Sequence, residues 1–101
     1  MGQRLELQER LETILGSRNV YFQPSDRVQM NYPAIVYIRD NMDTEFGDNA
    51  PYSITNRYSI THIDRTPDSE VPSRLATMPM TTYDRFYAAD GLNHNVYRTY
   101  F

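Results

Sequence analysis

The sequence predicts an α+β fold. A single small domain spans residues 1–101, with a mixed, mainly antiparallel sheet of about four to five strands and two helices packed on one face. Three observations carry this. Leu7, Leu11, Ile14 and Leu15 recur at the spacing of one helical stripe. From Tyr52 to Arg65, Tyr52, Ile54, Tyr58, Ile60 and His62 alternate with Ser53, Thr55, Arg57, Ser59 and Thr61, the period of a half-covered strand. Asp90-Gly91 separates two aromatic-rich runs as a two-residue hairpin turn.

The first helix is expected at residues 3–15, stopped by Gly16 and Ser17, with Arg4, Glu6, Glu9, Arg10 and Glu12 on a solvated face. Asn19 to Gln23 reads as a short strand closed by Pro24, and 26–30 as a turn with a brief extended piece. Tyr32 to Arg39 is an almost unbroken apolar run. Its β-branched and aromatic content suits a central strand covered on both faces, with Pro33 marking its start. Residues 41–51 read as a polar, turn-rich loop longer than ordinary hairpin connections, and long loops are often functional.

After the alternating strand comes Thr61-His62-Ile63-Asp64-Arg65-Thr66-Pro67-Asp68-Ser69-Glu70, rich in groups that could do chemistry. Asp68 or Ser69 can cap a second helix with Val71, Leu75 and Met78 on its apolar side, Pro72 in its first turn and Pro79 beyond its end. Strands at 82–88 and 92–100 complete the order α-β-(β)-β-β-α-β-β.

Composition narrows the function classes. A net charge of −3 argues against a general nucleic-acid binder, and the absence of cysteine removes disulfide, thiolate and cysteine-zinc chemistry. No apolar run approaches the ~20 residues of a membrane span, and the charged start is unlike a signal peptide, so the chain reads as soluble. All ten basic residues are arginine and nine residues are tyrosine, two types enriched at protein interfaces.

Catalytic and metal readings find little support. Ser69 stands among acids at a helix start, where capping accounts for it, and no serine lies in a G-x-S-x-G turn. His62, Asp64 and Asp68 match no standard ligand spacing. In Asp43-Thr44-Glu45-Phe46-Gly47-Asp48 the glycine falls where a calcium loop needs a ligand. The corner is expected to be a capped turn, with Arg65 pairing Asp64, Asp68 or Asp84. No enzyme activity, cofactor or metal is expected.

Taken in order, VYFQPSD, YPAIVY, YSITHIDRTPDSE, LATMP, YDRFY, DGLNH and the closing aromatic strand resemble the small tail-completion proteins, or tail terminators, of long-tailed bacteriophages. The likeness covers Val20 to Phe101, and departs at His62, where such sequences carry a β-branched residue. The resemblance implies a non-enzymatic structural protein of the virion neck, assembled in the host cytoplasm. It implies a ring, usually of six copies, that caps the tail tube, ends tail polymerisation and offers a head-tail joining surface. Its partners would be itself, the tail-tube protein and the head-connector protein, with DNA passing through the lumen without specific binding. A head-closure or adaptor protein of the same connector is the alternative. A closed ring needs two different patches on each subunit. For these the expectation is Asp43, Glu45, Phe46 and Asp48 on one side, with Arg57, Arg85 and Arg98 as partners.

Overall fold

The computed structural model describes residues 2–25, 27–47 and 50–101, the side chains of 2, 3 and 41–55 excepted. Its elements are helix α1 (Gly2–Leu15), strands β1 (Val20–Phe22), β2 (Ala34–Gly47) and β3 (Ala50–Asp64), helix α2 (Val71–Ala76), and strands β4 (Thr81–Ala89) and β5 (Leu92–Tyr100). The five strands form one mixed sheet in the order β1-β2-β3-β5-β4. β1 runs parallel to β2, and every other neighbouring pair is antiparallel. This is the α+β sheet with two helices that the alternation and the helical stripe predict.

Both helices feed one core on one face of the sheet. Leu7, Leu11 and Leu15 of α1 and Val71 and Leu75 of α2 meet Ile35 and Tyr37 of β2, Tyr58 and Ile60 of β3 and Tyr97 of β5. These strand residues lie opposite one another in register, Tyr37 against Ile60 and Ile60 against Tyr97, so a single row of large side chains crosses the sheet. Tyr37 ties this row to α1. Its hydroxyl donates to Gln8 Oε1 at 2.6 Å and accepts from Arg4 Nη1 at 3.1 Å, and its ring packs on Phe22 and Tyr58.

Two arginines expected on a solvated helix face instead cover sheet aromatics. The Arg4 guanidinium lies 4.6 Å from the centre of the Phe22 ring, and that of Arg10 5.3 Å from Phe101. Their flat, weakly hydrated heads suit such stacking at a core margin.

The two-residue turn forms as expected. Asp90 and Gly91 both take positive φ, 54° and 74°, which matches the right-handed twist of the strands they join. Gly91 allows this without cost, and Asp90 tolerates it better than most side chains do.

Two expectations about β2 are corrected. It is not covered on both faces: Ile35 and Tyr37 are buried, but Val36 is half-buried and Ile38 is 43% exposed. That second face is covered at the start of β2, where Ala34 is buried, and the chain between β1 and β2 lies against it through Tyr21 Oη, which accepts from the Asn31 N–H. In that chain Arg27 is turn-like, and residues 27–30 pair with no strand among the described residues, so no further strand of the sheet is found there. The second correction concerns the loop at 41–51. β2 continues to Gly47 and β3 starts at Ala50, and these residues pair with each other over Asn41↔Arg57 to Gly47↔Ala50, through a register shift at Glu45/Phe46.

Candidate functional site

The corner from Thr61 to Glu70 is built much as its sequence suggests, though with different partners. Asp64 ends β3, and its Oδ1 accepts from the Thr66 N–H at 3.0 Å, which turns the chain. Ser69 Oγ accepts from the Val71 N–H at 3.1 Å and so satisfies a free donor at the start of α2, while Asp68 stays exposed. Arg65 does not pair with an acid among the described residues; its guanidinium lies 5.9 Å from the centre of the Tyr32 ring. Asp84 is taken by other arginines.

His62 is the unusual member. It is 1% exposed, and neither ring nitrogen has a hydrogen-bond partner. Nε2 stands 3.5 Å from Asp64 Oδ2, at the outer limit of contact and without hydrogen-bond geometry. The ring lines a recess of about 350 Å³ bounded also by Thr66, Ser69, Phe86, Asn93 and Asn95. Burial pushes its pKa below the ordinary 6.5, and Asp64 opposes this more weakly.

The consequence for stability has a definite sign. Between the folded pKa and 6.5 the unfolded chain holds a proton on His62 that the folded chain does not. Stability is therefore lost as pH falls below about 6.5, the reverse of a histidine that gains a partner. His62→Ile is expected to remove that acid loss and to raise stability at neutral pH by about 1 kcal/mol, since unpaired buried polar atoms are costly and a β-branched residue suits the strand. Urea titrations at pH 7.5 and 5.0 check this. An acid loss unchanged in the variant would show that His62 is not its source.

A second feature is the extension of β2 and β3 past the rest of the sheet. β1 pairs β2 only at Ile35 to Tyr37, and β5 pairs β3 only from Arg57 onward. Residues 41–47 and 50–56 thus form a two-stranded arm beyond the sheet, with no third strand beside it among the described residues. A strand of seven residues reaches roughly 23 Å. The chain measures 51 × 26 × 23 Å, and its radius of gyration of 14.7 Å exceeds the roughly 13 Å usual at this length.

The residues expected at an interface divide accordingly. Asp43, Glu45 and Phe46 occupy arm positions on β2, paired with Thr55, Ser53 and Pro51, and their side chains lie outside the described set; Asp48 lies outside it altogether. Arg57 stands at the root of the arm, where its Nε donates to Asp40 Oδ1 at 2.9 Å. That bond, and then one to Tyr100, holds the guanidinium's pKa above its ordinary value. Arg57 is thus held against the body of its own chain at the root of the arm. Arg98 lies on the neighbouring strand β5, opposite Ser59, and Arg85 on the outermost strand β4. Both approach Asp84 Oδ2, at 2.7 and 3.8 Å, and both stay largely exposed.

Beside them β4 forms the edge of the sheet. Tyr83, Phe86 and Tyr87 are about half exposed along it, and Met80 just before it is 69% exposed. Tyr87 stacks on His94 at 4.4 Å, and Arg85 leans over the Tyr87 ring. The sequence marks these residues as a strand. Their exposure follows from the strand order, which leaves β4 outermost.

No protein-family model, curated protein or solved structure matches the chain. Among the described residues no helix is long and apolar enough to cross a membrane.

Proposed function

We propose that the chain is a structural subunit of a bacteriophage neck. In this reading it forms a closed ring, the six-fold ring its sequence resemblance implies, that caps the tail tube, stops tube growth and offers the surface on which the head connector docks. It works by binding and carries no cofactor. The observation that supports this most is the arm. An isolated two-stranded hairpin is marginally stable in water, so a long one held out from a small domain gains most by lying against another chain. The stretches that resemble tail-completion proteins lie on the start of β2, the β3–α2 corner, the end of α2, β4 and the Asp90-Gly91 turn, so they span the body that carries the arm. A net charge of −3 suits a lumen through which DNA slides without sticking.

The test is a growth assay with purified tail-tube protein. Adding the chain to growing tubes is expected to halt elongation at about one ring per growing end. Tubes that keep growing at the same rate, with no chain bound to them, would overturn the capping role. Binding to DNA-filled heads instead would move the chain to the head side of the joint.

A further inference from the structure

We infer that the arm of one subunit adds to the outer edge of β4 on the next, joining two different patches of the same chain. This rests on the ring reading above and names the surface that receives the arm.

β4 is a nine-residue strand, roughly 30 Å long, with β5 on one side and no strand on the other among the described residues. Natural proteins blunt such edges with short strands, lysine or proline. The opposite edge obeys this rule, since β1 has three residues. β4 is guarded only over its first half, by the charged pair Asp84 and Arg85 and by the register shift between Tyr83 and Arg85; from Phe86 to Ala89 it carries no charge, proline or irregularity, and Phe86 and Tyr87 stand exposed beside that open edge. An edge of this length and apolar content is a surface for addition of a strand.

Charge identifies the occupant. The sequence from 41 to 56 contains Asp43, Glu45 and Asp48 and no basic residue. Beside the β4 edge Arg85, and Arg98 reaching across from β5, share the one carboxylate of Asp84 and leave positive charge exposed. The arm also presents a strand with an unused backbone edge, the complement an open β4 requires. A subunit cannot fill its own edge this way, because β5 separates β3 from β4 and the arm runs on past the sheet. The occupant is a second copy. Since arm and edge are different patches, the contact is head-to-tail and closes into a ring or continues as a filament.

Two variants test this. In the first, an Asn-Gly turn replaces residues 43–55, so the edge is intact and the arm is gone. In the second, Arg85→Glu with Tyr87→Glu leaves the arm intact and makes the edge repel it. Each alone is expected to self-associate at least about 100-fold more weakly than the wild-type chain under the conditions in which that chain assembles, on tube ends if assembly occurs there. Mixed in equal amounts they are expected to form a 1:1 heterodimer and nothing larger, since the pair holds one usable arm and one usable edge. Thermal melting confirms that each variant folds; if the double variant does not, Arg98→Glu on the same surface replaces it. A mixture that stays monomeric while the wild-type chain forms rings overturns the arm-on-edge contact and leaves the ring reading standing. Rings formed by the edge variant alone do the same. A wild-type chain that forms no ring in solution or on tubes overturns both.

Discussion

Cutting the arm back to Met42 and Asn56 with an Asn-Gly turn is expected to yield a folded monomer that no longer assembles. Met42 and Asn56 are partners in the ladder, so a two-residue turn between them closes a short hairpin without changing register. Everything below the cut has its own support. Arg57 still reaches Asp40, the Phe101 N–H still meets the Asn56 carbonyl, and the described core from Leu7 to Tyr97 lies outside the removed segment. The melting temperature should therefore move by only a few degrees, as a shift of up to ~1 kcal/mol does in a domain of this size. Self-association should fall by about 100-fold or more, because the arm-on-edge contact proposed above loses one whole side. Light scattering of both proteins over a wide concentration range checks this. Collapse of the monomer itself would show that the arm belongs to the core; assembly as strong as before would remove the arm from the interface.

Tyr37→Ala is expected to have the largest effect on folding, about 3–5 kcal/mol. Tyr37 is fully buried, lies between the Phe22 and Tyr58 rings, and links the sheet to α1 through Gln8 and Arg4. Removing the ring leaves a cavity where α1 meets the sheet and strands two polar groups of the helix. Against a total of about 5–15 kcal/mol for a typical domain, the loss unfolds a large fraction of the chain if its stability lies near the low end. Tyr37→Phe separates the two contributions. It keeps the packing and loses only the hydroxyl, which should cost about 1–2 kcal/mol. Urea unfolding followed by circular dichroism measures both. Equal losses would mean that the hydrogen bonds, not the ring, hold helix to sheet.

Much of the body was legible in the sequence because its signals are local. The Leu7–Leu11–Leu15 stripe, the alternation through Tyr58 and Ile60, and Asp90-Gly91 each depend on spacing over a few residues. What escaped depends on distant partners. Residues 41–51 contain Asn41, Asp43, Gly47, Asn49 and Pro51, the composition of a loop, yet β2 runs on to Gly47 and β3 starts at Ala50 because each supplies the other's ladder. The apolar run at Ile35–Ile38 reads alike whether one face or both are covered, and only the placement of both helices on one side leaves Ile38 exposed. Arg4 and Arg10 look solvated from helical spacing, and their stacking on Phe22 and Phe101 follows from how α1 crosses the sheet.

The candidate surface was half legible for the same reason. Acids at 43, 45 and 48 and arginines at 57, 85 and 98 stand out in the sequence as a charge pattern. The fold then gives them different surroundings: Arg57 meets Asp40 at the arm's root, Arg98 lies on β5 next to β3, and Arg85 lies on the edge strand β4, where both Arg85 and Arg98 reach Asp84. That β4 is this edge, with Tyr83, Phe86 and Tyr87 uncovered, follows from β5 inserting between β3 and β4, which no local spacing reveals.

The most direct measurement is electron microscopy of tail tubes incubated with the wild-type chain. The account predicts closed rings of a single size, seated on one end of each tube and joined subunit to subunit by the arms. Tube ends that remain bare, with the chain monomeric in the surrounding solution, would contradict it.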